Sequence, residues 1–279
     1  MLARFLWLTA ASVATVAGDV IRCATSEPPI ENLADNAVFA VQEAEAREGL
    51  ATARYSPAPI VVPTVFHVVS ISDRPQDGYL SDETLMAQLD VMNEDYAPWN
   101  IEFSLINVTR TINVVWANDQ QALPMRRALR QGDYSTLNVY FLTNASGYLG
   151  YCTYPRQVEE GSDIFYRDGC VVLADSVPGG ALTRYNLGRT ATHEVGHWMN
   201  LAHTFQGGCG CVGDMIHDTP PSANPSYGCP VGKNSCPDRW GIDPIHNFMD
   251  YSDDDCMNEF TAGQAWRMRS AWNTYRIKR

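Results

Sequence analysis

The chain has 279 residues, 45% of them apolar and 19% charged, with 7 Trp and 13 Tyr. That length supports the buried core of one large domain or two small ones and excludes a disulfide miniprotein, and the composition excludes a disordered or collagen-like chain. With 32 acidic against 20 basic residues the formal charge is -12, and no basic block is present to neutralise a phosphate backbone, so nucleic acid is not an expected partner.

In chain order, Met1 to Ala17 carries one charge, Arg4, ahead of a short apolar core, and ends in the small residues Thr15 and Ala17 before Gly18. This reads as a secretory signal over residues 1–17, with an N-terminal anchor as the alternative; once the signal is removed, no stable membrane span remains. An extracellular, oxidising destination suits eight cysteines and makes the sequons Asn107-Val-Thr and Asn144-Ala-Ser glycan acceptors. Glu31 to Leu50 is rich in Ala and Glu and suits a solvated helix, which Tyr55-Ser-Pro-Ala-Pro breaks before Ile60. Residues 18–58 therefore read as a leader and linker, and 59–279 as the main domain.

Ile60 to Ile71 is rich in β-branched residues and reads as a strand feeding a helix, which Ser81 caps and in which Leu85, Leu89, Met92 and Tyr96 keep helical spacing. Ile101 to Val115, Leu137 to Thr143 and Cys170 to Ala174 read as further strands, with a short helix near Arg126 to Arg130. Beyond Gly207 the texture turns to Gly, Pro, Cys, Asn and Asp until Thr261, whose capping position opens a last helix through Ala265, Met268 and Trp272. The expected fold class is α/β or α+β, with a long irregular stretch that needs covalent ties.

Three of the six histidines fall in His193-Glu-Val-Gly-His197-Trp-Met-Asn-Leu-Ala-His203. On a helix, positions four apart lie about 40° apart around the axis and about 6 Å along it, so His193 and His197 can grip one metal ion. A continued helix would carry His203 roughly 9 Å farther and point it away, so the chain must turn back for His203 to join. Asn200 is the expected pivot, because a short polar side chain tolerates left-handed backbone. Three neutral imidazoles on Zn2+ leave an open position for water, whose pKa the metal lowers, and Glu194 can accept its proton. A structural zinc site is the alternative, but such sites are usually closed by Cys and have no need of the glutamate.

This motif resembles that of the metzincin zinc peptidases, and its surroundings are similar to the pappalysin family within them. The similarity runs from about Val62 to the last helix. It includes Gly188-Arg-Thr-Ala-Thr, Thr204-Phe-Gln, Gly213-Asp-Met-Ile-His-Asp-Thr-Pro and Asn247-Phe-Met-Asp-Tyr-Ser-Asp-Asp-Asp-Cys256-Met-Asn-Glu-Phe. The resemblance implies a zincin with a twisted mixed sheet and helices in an upper subdomain and an irregular, disulfide-tied lower one. It places Met249 in a tight turn beneath the metal and Tyr251 beside it, where a phenol can donate to the oxyanion of a tetrahedral intermediate. From residue chemistry alone both would be ordinary core or half-buried side chains. The implied activity is that of a secreted zinc endopeptidase, made as an inactive precursor, that binds protein or peptide substrates along a sheet edge. The alternatives are a catalytically weak zinc-binding protein, against which Glu194 and Tyr251 argue, and a zinc hydrolase of a non-peptide amide, which would need a narrow pocket.

The family pattern also pairs Cys209 with Cys236 and Cys229 with Cys256, and Cys152 and Cys170 flank a chain excursion that makes them a third pair. Cys23 and Cys211 are left over. Arg22-Cys23-Ala-Thr resembles the Arg-Cys-Gly-Thr of precursors in this family, with Ala24 in place of glycine. Cys23 is thus a candidate latency ligand to zinc, with a bridge to Cys211 as the competing reading and Arg54 to Pro59 as the expected activation linker. Asp214, Asp218 and the carbonyl of Thr219 form an oxygen-rich loop for which the resemblance implies calcium and residue chemistry alone a solvated acidic turn. Asp253-Asp-Asp reads as a solvated turn. His67, His217 and His246 match no second metal motif.

Overall fold

The computed structural model describes residues 21–50, 58–210 and 213–277. The expected signal at 1–17, Cys211 and residues 54–57 of the expected activation linker lie outside them. The strands are β1 (Ile21–Cys23), β2 (Ile60–Ser70), β3 (Ile101–Ile112), β4 (Leu137–Leu142), β5 (Tyr148–Cys152) and β6 (Cys170–Leu173). They form one sheet in the order β1-β5-β6-β4-β2-β3, mixed because β5 and β6 pair antiparallel while the other neighbours are parallel. β4 lies inside the sheet and is buried at every position, which is why Leu137 to Leu142 is apolar apart from Asn138.

Successive residues of β2 face opposite sides of the sheet. Val62, Phe66 and Val68 enter the main core beneath α2 (Asp82–Tyr96) and α6 (Arg189–Trp198), which also holds Leu85, Leu89, Met92 and Val195. Val69 faces the other way, into a smaller cluster with Tyr140 and Met125 of α4 (Ala122–Leu129). Ser81 caps α2 as its spacing predicts, accepting from the Thr84 N–H. The strand expected to reach Val115 stops at Ile112. There Asn113 turns its side chain onto the N–H groups of Val115 and Trp116 and opens a one-turn helix, α3 (Val114–Ala117). Between β5 and β6 the chain makes an excursion through α5 (Asp163–Arg167), closed by a Cys152–Cys170 disulfide at paired positions of the two strands.

Two elements of the stretch read as a leader belong to this same body. β1 adds to the sheet beyond β5, and α1 (Ile30–Leu50) packs against α7 (Ala262–Ala271). The expectation of a solvated α1 is corrected: Asn32, Asn36 and Phe39 are buried along one face, with Glu43 next on it. Three of those four residues are polar, so no apolar period marks the face.

Below α6 the chain is irregular, and Cys209–Cys236 and Cys229–Cys256 disulfides tie it together. Thr261 opens α7 with a capping box, and the Gln264 side chain of that box exchanges two hydrogen bonds with the Asn247 amide. Asn247 Oδ1 also accepts from the Met249 N–H, so the start of α7 fixes the turn that carries Met249. No helix among the described residues is long and apolar enough to cross a membrane.

Candidate active site

The site is built on α6, and both ends of that helix are specified. At its start Gly188 adopts a left-handed conformation (φ 87°), and Asp254 Oδ2 accepts from the N–H groups of Leu187 and Arg189 at 3.0 and 3.3 Å. A carboxylate is favoured there by the helix dipole. Thr192 and Arg189 are both held by Asp95 of α2. At its end the Asn200 N–H donates to the His197 carbonyl and the Leu201 N–H reaches back to Gly196, both at 2.9 Å, with Asn200 at φ 76°. This pair of bonds around a left-handed residue stops the helix and reverses the chain. His203 is thereby carried back beside His197.

The three imidazoles converge. His197 Nε2 lies 3.2 Å from His193 Nε2 and 3.1 Å from His203 Nε2. His193 and His197 donate their Nδ1–H to the carbonyls of Phe248 and Leu201, at 2.6 and 2.7 Å, which leaves each Nε2 lone pair turned toward the ring of donors. Burial holds all three histidines below the ordinary imidazole range, His197 at about 4, so they stay neutral. The fourth member is Cys23, whose Sγ lies 3.5 Å from His197 Nε2; the four donor atoms all lie within 4.8 Å of one another. A tetrahedral zinc ion separates its ligand atoms by about 3.3 Å for N···N and about 3.6 Å for N···S. The donor set fits zinc in both chemistry and spacing.

Glu194 is buried beside this ring, with Oε2 accepting from the Thr25 hydroxyl at 3.2 Å and standing 3.4 Å from Cys23 Sγ. Burial pushes its carboxyl up to about 8. Tyr251 packs edge-on against His203 and donates its hydroxyl to the Cys23 carbonyl at 3.2 Å. Met249 is fully buried beneath α6, against Gly196, where an added Cβ would lie 2.4 Å from its Sδ. The interior glycine of the motif is thus a packing requirement of Met249.

β1 runs through the site as an extended chain, with Cys23 opposite Gly150 and the Ala24 N–H donating to the Gly150 carbonyl at 3.0 Å. Ala24 is exposed and does not adopt left-handed backbone, so the alanine in place of glycine is accommodated. Arg22 is buried: its guanidinium donates to the Ser252 carbonyl at 2.8 Å and to Asp254 Oδ1 at 2.9 Å, over the Tyr185 ring. This corrects the reading of residues 253–255 as a solvated turn. Asp253 pairs with Arg184, Asp254 is 1% exposed beneath Arg22, and only Asp255 faces solvent. A carboxylate that both caps α6 and pairs Arg22 is satisfied inside the protein, which a local reading of three acids does not anticipate.

Other residues named from sequence lie elsewhere. Asp214 is buried and accepts from the Thr219 hydroxyl and the Ile216 N–H, and Asp218 accepts from Thr261 and the Gly263 N–H at the start of α7. Burial pushes Asp214 up to about 7. Asn107 and Asn144 are both exposed. Sequence reasoning missed Gly150, which has no motif and where a Cβ would meet Glu194 Cγ at 2.8 Å, and it missed that Thr25, the last residue of the Arg22-Cys23-Ala-Thr segment, holds the glutamate.

Known proteins are similar to this chain in sequence and fold. The model of peptidase family M43, described as pregnancy-associated plasma protein-A, matches residues 134–273. An extracellular metalloprotease of Verticillium alfalfae is 58% identical over the full length of both chains. The chain belongs to the pappalysin family. It is a metalloprotease, as that relative and the family model are. An extracellular metalloprotease of Colletotrichum graminicola is 52% identical over 94% of each chain. Among solved structures, mature mirolysin of Tannerella forsythia in complex with a cleaved peptide is 30% identical with a TM-score of 0.64, over 78% of this chain and 93% of that one.

Proposed function

We propose that this pappalysin is a secreted zinc endopeptidase held latent by its own leader, with Cys23 as the fourth ligand to an ion on His193, His197 and His203. The observation that carries this is the ring of four donors, whose spacing suits a zinc thiolate, in a chain where Cys23 is the free cysteine among the described residues. Burial and Glu194 push the Cys23 thiol well above its ordinary value. A cation in the ring reverses that order, because a coordinating thiol is deprotonated.

Zinc, when bound, supplies a Lewis acid for the scissile carbonyl and lowers the pKa of water. The chain's own residues do the rest. The β5 edge, which already pairs with an extended segment at β1, holds a substrate backbone by main-chain hydrogen bonds. That open edge suits a polypeptide better than a small amide. Glu194 takes the proton of the attacking water and returns it to the leaving amine. Tyr251 donates to the carbonyl oxygen as it gains charge, the position the Cys23 carbonyl occupies in the precursor. The floor under Arg22, made by Asp254, the Ser252 carbonyl and Tyr185, would receive an arginine or lysine side chain of the substrate once the leader has gone. Exposed Asn107 and Asn144 take glycans on the secretory route. Of the acids read as calcium ligands, Asp218 ties the loop to the start of α7, and Asp214 closes the loop on itself through Thr219 and Ile216.

The test is Cys23→Ser in the full-length precursor, assayed on casein with and without a zinc chelator. Chelator-sensitive hydrolysis before any cleavage is expected, against a silent parent. A zinc-loaded variant that stays silent, or a mapped Cys23–Cys211 bridge, overturns the latency.

A further inference from the structure

The thiol accounts for one end of the leader, but the other end is gripped at a second place. Asn200, the left-handed pivot of the zinc motif, is fully buried, and both ends of its amide are taken by α1. Its Oδ1 accepts from Asn32 Nδ2 at 3.1 Å and its Nδ2 donates to Asn36 Oδ1 at 2.7 Å. Asn32 also donates to the Pro155 carbonyl at 2.7 Å. Farther along the same face Phe39 packs edge-on to Tyr275, and Glu43 receives a two-pronged pair from Arg267 at 2.9 and 3.2 Å. Asp35 accepts from the Tyr275 hydroxyl. Asn32, Asn36, Phe39 and Glu43 follow helical spacing, so one face of α1 meets one continuous surface made of Asn200, Arg267 and Tyr275.

We infer that this surface is a docking site for the chain's own leader helix that outlasts cutting of the linker, so that the severed leader remains bound as an inhibitor of the domain it came from. The inference rests on the latent-peptidase reading above. Cutting within residues 51–57 turns the leader into a separate molecule and removes the high effective concentration that the tether supplied. What remains is a two-point attachment: Arg22 and Cys23 hold β1 in the cleft, and α1 holds the zinc loop at Asn200 through hydrogen bonds shielded from solvent, with the Glu43–Arg267 pair beyond them. Each anchor keeps the other at high local concentration through the short tie of residues 24–29. Release therefore requires a second cut in that tie, after which each half dissociates alone.

The experiment uses the full precursor with a site for a specific protease placed in residues 51–57, and a version with a second site in residues 26–28. After the single cut, the leader is expected to co-elute with the domain on gel filtration, read by mass spectrometry, and casein hydrolysis to stay absent. After the double cut, the helix is expected to elute separately and activity to appear. In the singly cut protein, Asn32→Ala/Asn36→Ala is expected to speed leader dissociation about tenfold or more, as loss of three buried hydrogen bonds implies. Glu43→Gln, which keeps the shape of the side chain, provides a second variant should the asparagine pair impair folding, and is expected to act in the same direction. Prompt loss of the wild-type leader after the single cut overturns the inference, as does a wild-type dissociation rate in both variants. A doubly cut protein freed of both peptides yet inactive would count against the peptidase reading, while docking is still decided by mass alone.

Discussion

Gly196 and Met249 offer a measurement of how tightly the metal loop and the turn beneath it are coupled. An alanine at 196 would place its Cβ 2.4 Å from Met249 Sδ, 3.2 Å from its Cε and 3.6 Å from Leu201 Cδ1. Ordinary non-bonded contacts sit at about 3.5–4.0 Å, so the first distance overlaps by more than an ångström. Met249 is fully buried, and its turn is pinned by Asn247 and Gln264. Forced repacking of this kind costs about 1–3 kcal/mol, offset by about 1 kcal/mol of helix propensity that alanine gains over glycine. Gly196→Ala alone is therefore expected to lose about 0–2 kcal/mol, and Met249→Ala about 2–5 kcal/mol for the cavity it opens. In the double variant the clash disappears while the propensity gain remains. The two changes should then be less costly together than their sum by about 1–3 kcal/mol. Urea unfolding of the four zinc-loaded proteins, with zinc content measured on each, supplies the cycle. Additivity to within about 0.5 kcal/mol would refute the idea that this glycine is small for the sake of Met249.

Glu194→Ala is expected to abolish casein hydrolysis at unchanged zinc content, whereas Tyr251→Phe, also with full zinc, is expected to slow turnover about 100-fold through loss of one oxyanion donor. Zinc analysis beside the kinetics checks both, and a Tyr251→Phe enzyme as fast as its parent would reduce the phenol to packing. His67 provides the pH prediction. Its Nε2 and Nδ1 are engaged by Asn138 and Thr109 inside the sheet, and burial lowers its pKa from 6.5 to about 4. Because the folded value is depressed, the folded state resists protonation. Stability from this group is complete above about pH 6.5 and falls as the pH drops toward 4, by about 3 kcal/mol in all. Urea midpoints of the parent and His67→Gln at pH 7.5 and 4.5 check this, with a smaller acid loss expected in the variant.

What the sequence determined by itself is local. The histidine motif is legible because residues four apart share a helix face and because one left-handed residue suffices to turn the chain, and both are properties of a dozen consecutive residues. The caps at Ser81 and Thr261 and the apolar runs of β2 and β4 are legible for the same reason. The tertiary structure alone decided which polar groups meet. Arg22 and Asp254 are 232 residues apart, and neither the acidic run nor the basic residue shows from its neighbours that it will be buried. The docked face of α1 is Asn32, Asn36, Phe39 and Glu43, a stripe with helical spacing and little hydrophobicity, so a search for apolar periodicity passes over it. Hydrophobic burial leaves a period in the chain because it is non-directional and acts on whole faces. A buried polar group is stabilised only by its particular partner, and that partner is set by the fold.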